Sequence, residues 1–308
     1  MHAQKSRSEA AKPGKIGVDG VRQAWIQPFR PLVLVFSAAM LLFAFVVITF
    51  TVEGSGRSDT PTTVAFTAGG AMLVCGSLYG VQEAGFRKIG RPRRLRRQHA
   101  PEHGYGVRVP TTRVLIPLAV SLLIGCAVYS GVASLSWFLG AEESLLPSGR
   151  STESGAAFMT VCSIGSVIGA LLLLIIRIDT VVTIYHDGVE RYSLRQFPFF
   201  TRRYRIFLAW HEIERIDAGS LAHQPVIELH TASPLQARQQ TPHDTEHKIT
   251  LLAHVLVTEP NTLLALLKRL HENPDDRKLV SEPNAAELLR PPPIRERFRS
   301  ARTRKAKK

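Results

Sequence analysis

Only three cysteines occur in 308 residues, Cys75, Cys126 and Cys162, and all fall inside apolar segments. There they read as small packing residues, which argues against a disulfide framework or a metal site. No Asp, Glu, Lys, Arg or His stands in the middle of any long apolar run. Proton relays, voltage sensors and coupled transporters need such groups despite their cost in hydrocarbon, so the chain does not read as a pump or secondary transporter. A G-x-S-x-G elbow, a Walker loop and other Gly-rich phosphate loops are missing too. His211-Glu212 begins like a zincin helix, but Arg215 stands where the second histidine belongs. His243-Asp-Thr-Glu-His247 sets two imidazoles four apart in a stretch that reads as loop, with no third ligand in view. No catalytic residue, metal or cofactor is expected.

What is there is positive charge, unevenly spread. A net charge of +14 and a pI near 10.2 first suggest a nucleic-acid binder. Yet residues 1–30 carry 6 Lys/Arg against 2 acids, 83–113 carry 9 against 2, and the tail from 291 carries 8 against 1. The stretch 179–290 carries 13 against 15. The excess sits in flanks, one loop and a tail, as expected where charge sets membrane orientation. The tail offers no stacking aromatic beyond Phe298 and reads as disordered and solvated, so a nucleic-acid partner is not expected.

The mean hydropathy of +0.03 averages two unlike halves, an apolar one over 31–178 and a polar one over 179–308. Pro31–Val52, Val114–Gly140 and Ala156–Ile176 are charge-free runs long enough to cross a hydrocarbon core of about 30 Å. The first follows some thirty polar residues without a cleavage pattern, so it is expected to be a retained anchor. Thr62–Gln82 is diluted by Gly69, Gly70, Gly76 and Gly80. The positive-inside rule restores it as a span, because only four crossings place every basic stretch on one side. The loops 53–61 and 141–155, with 2 Arg against 5 acids, then face outward. The expected location is the cell (plasma) membrane, with both termini cytoplasmic. Gly76-Ser-Leu-Tyr-Gly80 and Gly165-Ser-Val-Ile-Gly169 are small-xxx-small patterns. They are either packing faces, within one bundle or between copies in a homo-oligomer, or ordinary scattered membrane glycines.

After Ile178 the periodicity turns to β. Thr180–Tyr185 is rich in β-branched residues, Asp187-Gly188 is a hairpin signal, and Val189–Leu194 reads as the returning strand. Arg205–Trp210 with Ile213 and Ile216, Pro225–His230 and Ile249–Val257 read as further strands, and 231–248 as a long mobile loop. Glu259-Pro260-Asn261-Thr262 starts a helix whose apolar face is Leu263, Leu264, Leu266, Leu267 and Leu270, and Asn273-Pro274 stops it. Four spans (31–178) followed by an α+β soluble domain (179–290) is the expected architecture.

His186-Asp-Gly-Val189, Ala209-Trp-His-Glu-Ile213 with Ile216, and Leu270-His-Glu-Asn-Pro274 together resemble bacterial multi-pass membrane proteins with a C-terminal pleckstrin-homology-like domain. The resemblance covers about a third of the chain. It implies a small, strongly bent antiparallel sheet closed at one end by a C-terminal helix. It also implies a binding module for lipid headgroups or a protein partner, with no enzyme activity.

Arg191, Arg195, Arg202, Arg203 and Arg205 surround Gln196-Phe-Pro-Phe-Phe200. Guanidinium groups suit phosphate oxygens, so the segment is a candidate contact with anionic lipid into which Phe197, Phe199 and Phe200 dip. Otherwise the phenylalanines pack in the core and the arginines form a solvated edge. Likewise, the arginines from Arg87 to Arg97 either bind acidic phospholipid or only set topology. The expected function is a membrane-anchored binding or scaffold protein. The alternative is a pore or transport component assembled through the glycine faces.

Overall fold

The computed structural model describes residues 24–25, 30–54, 60–86, 95–112, 115–140, 146, 152–291 and 293. Most of the basic segment 1–30, the arginines at 87–94 and nearly all of the tail from 291 lie outside the described residues.

Among the described residues four helices are long and apolar enough to cross a membrane. They are α1 (Pro31–Gly54), α2 (Thr60–Val81), α3 (Leu115–Phe138) and α4 (Glu153–Ile175). At 22 to 24 residues each spans about 33–36 Å. They pack as a row, α1 on α2, α2 on α3 and α3 on α4, and α1 and α4 share no comparable contact. Small residues set the seams. A Cβ on Gly70 would stand 2.7 Å from Ile48 Cγ1, and one on Gly125 would stand 2.5 Å from Met72 Cγ. Hydroxyls add bonds that hydrocarbon cannot compete for. Ser77 donates to the Ser37 carbonyl, and Ser163 donates to the Ala127 carbonyl at 2.9 Å.

The soluble part is an antiparallel-sheet domain built from two separated pieces of chain. Residues 83–113, expected as a basic loop, instead contribute β1 (Arg96–Ala100) and β2 (Gly104–Val109). With β3 (Arg177–Tyr185), β4 (Gly188–Phe197) and β5 (Phe200–Ala209) they form one sheet in the order β1-β2-β3-β4-β5. β2 pairs with β3, Val109 facing Val182, so α3 and α4 leave and re-enter the sheet as the long connection of a hairpin. The junction is tight. Thr111 Oγ1 donates to the Thr180 carbonyl and accepts from its N–H, both at 2.6 Å. At the other junction Arg177 opens β3 two residues after α4 ends.

A second sheet, β6 (Ile213–Leu221), β7 (Gln224–Thr231) and β8 (Lys248–Leu251), carries α5 (Pro260–Glu272) against β6 and β7. The expected strand Ile249–Val257 ends at Leu251, and a 3-10 turn over Ala253–Val255 follows. The helix starts where its signals lie. Glu259 caps it by accepting from the Thr262 N–H at 2.6 Å, and Pro260 takes the first position, where a missing N–H costs nothing. One core joins both sheets and the helix, with Ile184, Trp210, Ile227, Leu251, Leu263 and Leu267 all buried.

The segment ahead of α1 meets this domain. The Trp25 N–H donates to Asn261 Oδ1 at 3.0 Å, Asn261 Nδ2 donates back to the Trp25 carbonyl at 3.0 Å, and Trp25 Nε1 donates to the Gly219 carbonyl at 2.9 Å. The Arg30 N–H donates to the Ala84 carbonyl beyond α2 at 3.1 Å. The start of α1, the end of α2, the start of α3 and the end of α4 therefore share one end of the helical row.

Candidate lipid-facing site

The β4–β5 hairpin is the element on which the arginine and phenylalanine cluster falls. Its tip is Pro198-Phe199, closed by the pair Phe197 and Phe200. Proline fixes its φ near −65°, which excludes the primed turns that two-residue hairpins favour and suits the first central position of a type I turn instead. The register fixes where the tip lies. Arg177 pairs with Gln196, so Phe197 stands level with Ile176, the residue joining α4 to β3, one strand spacing of about 5 Å away.

Side-chain alternation sorts the cluster onto two faces. Val189, Arg191, Ser193, Arg195 and Phe197 share the core face of β4, opposite Leu208, Ile206, Tyr204, Arg202 and Phe200 of β5. Arg203 and Arg205 lie on the other face. The apolar far end of the core face is buried, and toward the membrane helices it turns cationic and then aromatic.

Arg191 does not belong to an exposed lipid contact. Its side chain is 3% exposed, and that of Asp244 is 0%. Nη1 donates to Asp244 Oδ1 at 2.7 Å and to the Thr250 carbonyl at 3.1 Å, and Nη2 donates to Asp244 Oδ2 at 2.6 Å. Burial pushes the Asp244 carboxyl up, but Arg191 and the backbone N–H groups of Thr250 and Thr241 outweigh it and hold it below the usual carboxylate value. The segment 231–248, expected to be mobile, is thus pinned over the sheet by a buried ion pair. Asp244 is the interior of the His243–His247 pattern, and the Thr250 hydroxyl bonds to the His243 carbonyl. Among the described residues no three His, Cys, Asp or Glu side chains gather closely enough to hold a metal.

Arg205 is not a free cation either: its guanidinium is bound to Glu190, which keeps it charged. Tyr185 donates to the same carboxylate at 3.3 Å. Burial first, and the Glu190 charge second, push the Tyr185 phenol up.

Arg195, Arg202 and Arg203 remain, each without a carboxylate partner among the described residues. Arg195 and Arg202 face each other directly across the strands, a repulsive like-charge pairing unless an anion lies between them. The Arg195 Nε is buried and has no acceptor among the described residues. Beside them, Phe197 and Phe200 stack at 4.7 Å, and the Arg202 guanidinium lies 5.6 Å from the Phe200 ring centre. Phe199 is 96% exposed and Phe200 51%, so neither is a core residue. Ile178, paired with Arg195 and half exposed, extends the apolar rim. Alternation with the core residues Val182 and Ile184 was the signal that places it there.

The glycine pairs divide as well. A Cβ on Gly76 would meet Met40 at 3.4 Å, one on Gly80 would strike Ser37, and one on Gly169 would meet Leu123 at 3.4 Å, whereas nothing lies within 4 Å of Gly165. Three of the four therefore pack within the chain, and Gly165 faces open space. Comparison of the chain with protein-family models, curated proteins and solved structures found no match.

Proposed function

We propose that the chain is a membrane-anchored binding or scaffold protein of the plasma membrane. Its pleckstrin-homology-like module lies on the cytoplasmic side, held against the inner leaflet, and binds anionic lipid headgroups or a protein partner there. The observation that carries this reading is the register Arg177–Gln196, which sets an unpaired arginine pair and an exposed phenylalanine tip level with the end of a membrane helix. The resemblance implies a single bent sheet, whereas the domain has two antiparallel sheets sharing one core, with α5 packed on β6 and β7. Guanidinium groups at headgroup depth would gain about 1 kcal/mol each from an anionic surface, and an exposed Phe199 gains by leaving water.

A Phe199→Trp variant of the full chain, reconstituted in nanodiscs, tests it. Brominated acyl chains are expected to quench the added indole, more strongly with anionic than with zwitterionic headgroups. Arg195→Gln with Arg202→Gln is expected to weaken that dependence on lipid charge. Emission at solvent wavelengths with no quenching in either lipid contradicts the reading. A pore built from several copies keeps one supporting observation, Gly165, which lines an open groove that α2, α3 and α4 leave unfilled. Conductance in proteoliposomes would favour it.

A further inference from the structure

The chain has seven sulfur-bearing side chains, three Cys and four Met. Four of them, Met72 on α2, Cys126 on α3 and Met159 and Cys162 on α4, line one open groove of about 400 Å³ along the helical row. Cys126 Sγ lies 3.2 Å from Met72 Sδ. The bond from Ser163 to the Ala127 carbonyl holds α3 and α4 in a register that sets their neighbours Cys162 and Cys126 at similar depth. Met159 and Cys162, three apart, share a helix face. Cys126 is the twelfth of 24 residues in α3 and Cys162 the tenth of 23 in α4, so the groove sits near the middle of the spans. Gly165 adds no Cβ to its wall.

We propose that Met72, Cys126, Met159 and Cys162 form a site for one soft monovalent metal ion of the Cu(I) class. Thiolate and thioether donors suit Cu(I), while carboxylate and carbonyl sites suit Mg²⁺ and Ca²⁺. The groove wall supplies neither carboxylate nor imidazole. The charge balance also fits hydrocarbon. On binding, one cysteine thiol releases its proton to solvent and forms a sulfur–metal bond, so one thiolate neutralises one Cu(I). The second cysteine and the methionines complete the coordination as neutral donors, and no net charge is left at mid-bilayer, where it is costly. No electron is transferred. The donors come from three helices, with Met72 54 positions from Cys126, so no spacing motif in the sequence announces them. The inference is independent of the lipid-facing hairpin.

The full chain, purified in detergent under reductant, is titrated with Cu(I) against a colorimetric Cu(I) chelator. One equivalent retained, with a sulfur-to-metal charge-transfer band in the near ultraviolet, is the expected result. Cys126→Ser and Cys162→Ser should each weaken retention by at least about a hundredfold, since loss of a direct donor exceeds the roughly 10–100-fold cost of losing an outer-shell partner. Cys75→Ser, outside the groove, should leave it unchanged. Failure to retain an equivalent, equal loss in Cys75→Ser, or full retention in the double Cys126→Ser, Cys162→Ser variant overturns the proposal. Should the cysteine variants aggregate, Met72→Leu with Met159→Leu, matched in volume, decides: weakened retention supports the site and unchanged retention overturns it.

Discussion

Asp244 and Arg191 hold each other in the dry interior through two guanidinium nitrogens, 53 residues apart in the chain. Removing one partner strands the other as a buried charge. Asp244→Asn is expected to cost roughly 3–5 kcal/mol, read as a fall in the thermal midpoint of tryptophan emission. Arg191→Met with Asp244→Leu should recover much of the loss, and a double variant no more stable than the single would contradict the pairing. The pH dependence follows from the sign of the shift. The Asp244 pKa is lowered on folding, so its contribution is complete above the unfolded value of about 3.9 and is lost as pH falls through the lowered folded value. Asp244→Asn should flatten that acid limb. Arg191 was grouped with its neighbours in sequence because arginines 191 to 205 form one run. Its shared face with Val189 was readable from alternation, but its partner was not, since a long polar stretch gives no sign of which acid folds inward.

Among the elements, the helices were legible nearly to their ends, because a charge-free run of twenty residues has few alternatives. α5 was legible through its cap and leucines. The hairpin β1–β2 was missed for a physical reason. β1 reads Arg-Arg-Gln-His-Ala, with no apolar alternation, since it is an edge strand with one neighbour. In β2 the alternation was present, Val107 and Val109 both buried, but it is short and lies between arginines. Gly69 and Gly70 test the packing of the helical row. They adjoin in sequence, yet nothing lies within 4 Å of a Cβ on Gly69, while one on Gly70 meets Ile48 at 2.7 Å. Gly70→Leu is expected to destabilise by about 1–3 kcal/mol through overpacking, and Gly69→Leu to leave the melting midpoint in detergent nearly unchanged. Equal effects would contradict the α1–α2 seam.

At the scale of the molecule, the soluble domain and the helical row are interleaved. The sheet opens with β1–β2, passes through α3 and α4, and resumes at β3, so the sheet is tied to the helical row at two points. Trp25 adds a third tie ahead of α1. These contacts give a geometric reason for the even number of crossings that charge alone suggested. By the positive-inside rule, this end of the row is expected on the cytoplasmic side.

Single cysteines introduced at Ser58, Ser148 and Ser220 test that placement in intact cells with a membrane-impermeant maleimide. Ser58→Cys, between α1 and α2, and Ser148→Cys, between α3 and α4, are expected to react before lysis. Ser220→Cys, on the exposed end of β6, should react only after it. Labelling at position 220 in unlysed cells, or silence at 58 and 148, would contradict the four-span arrangement with its domain inside.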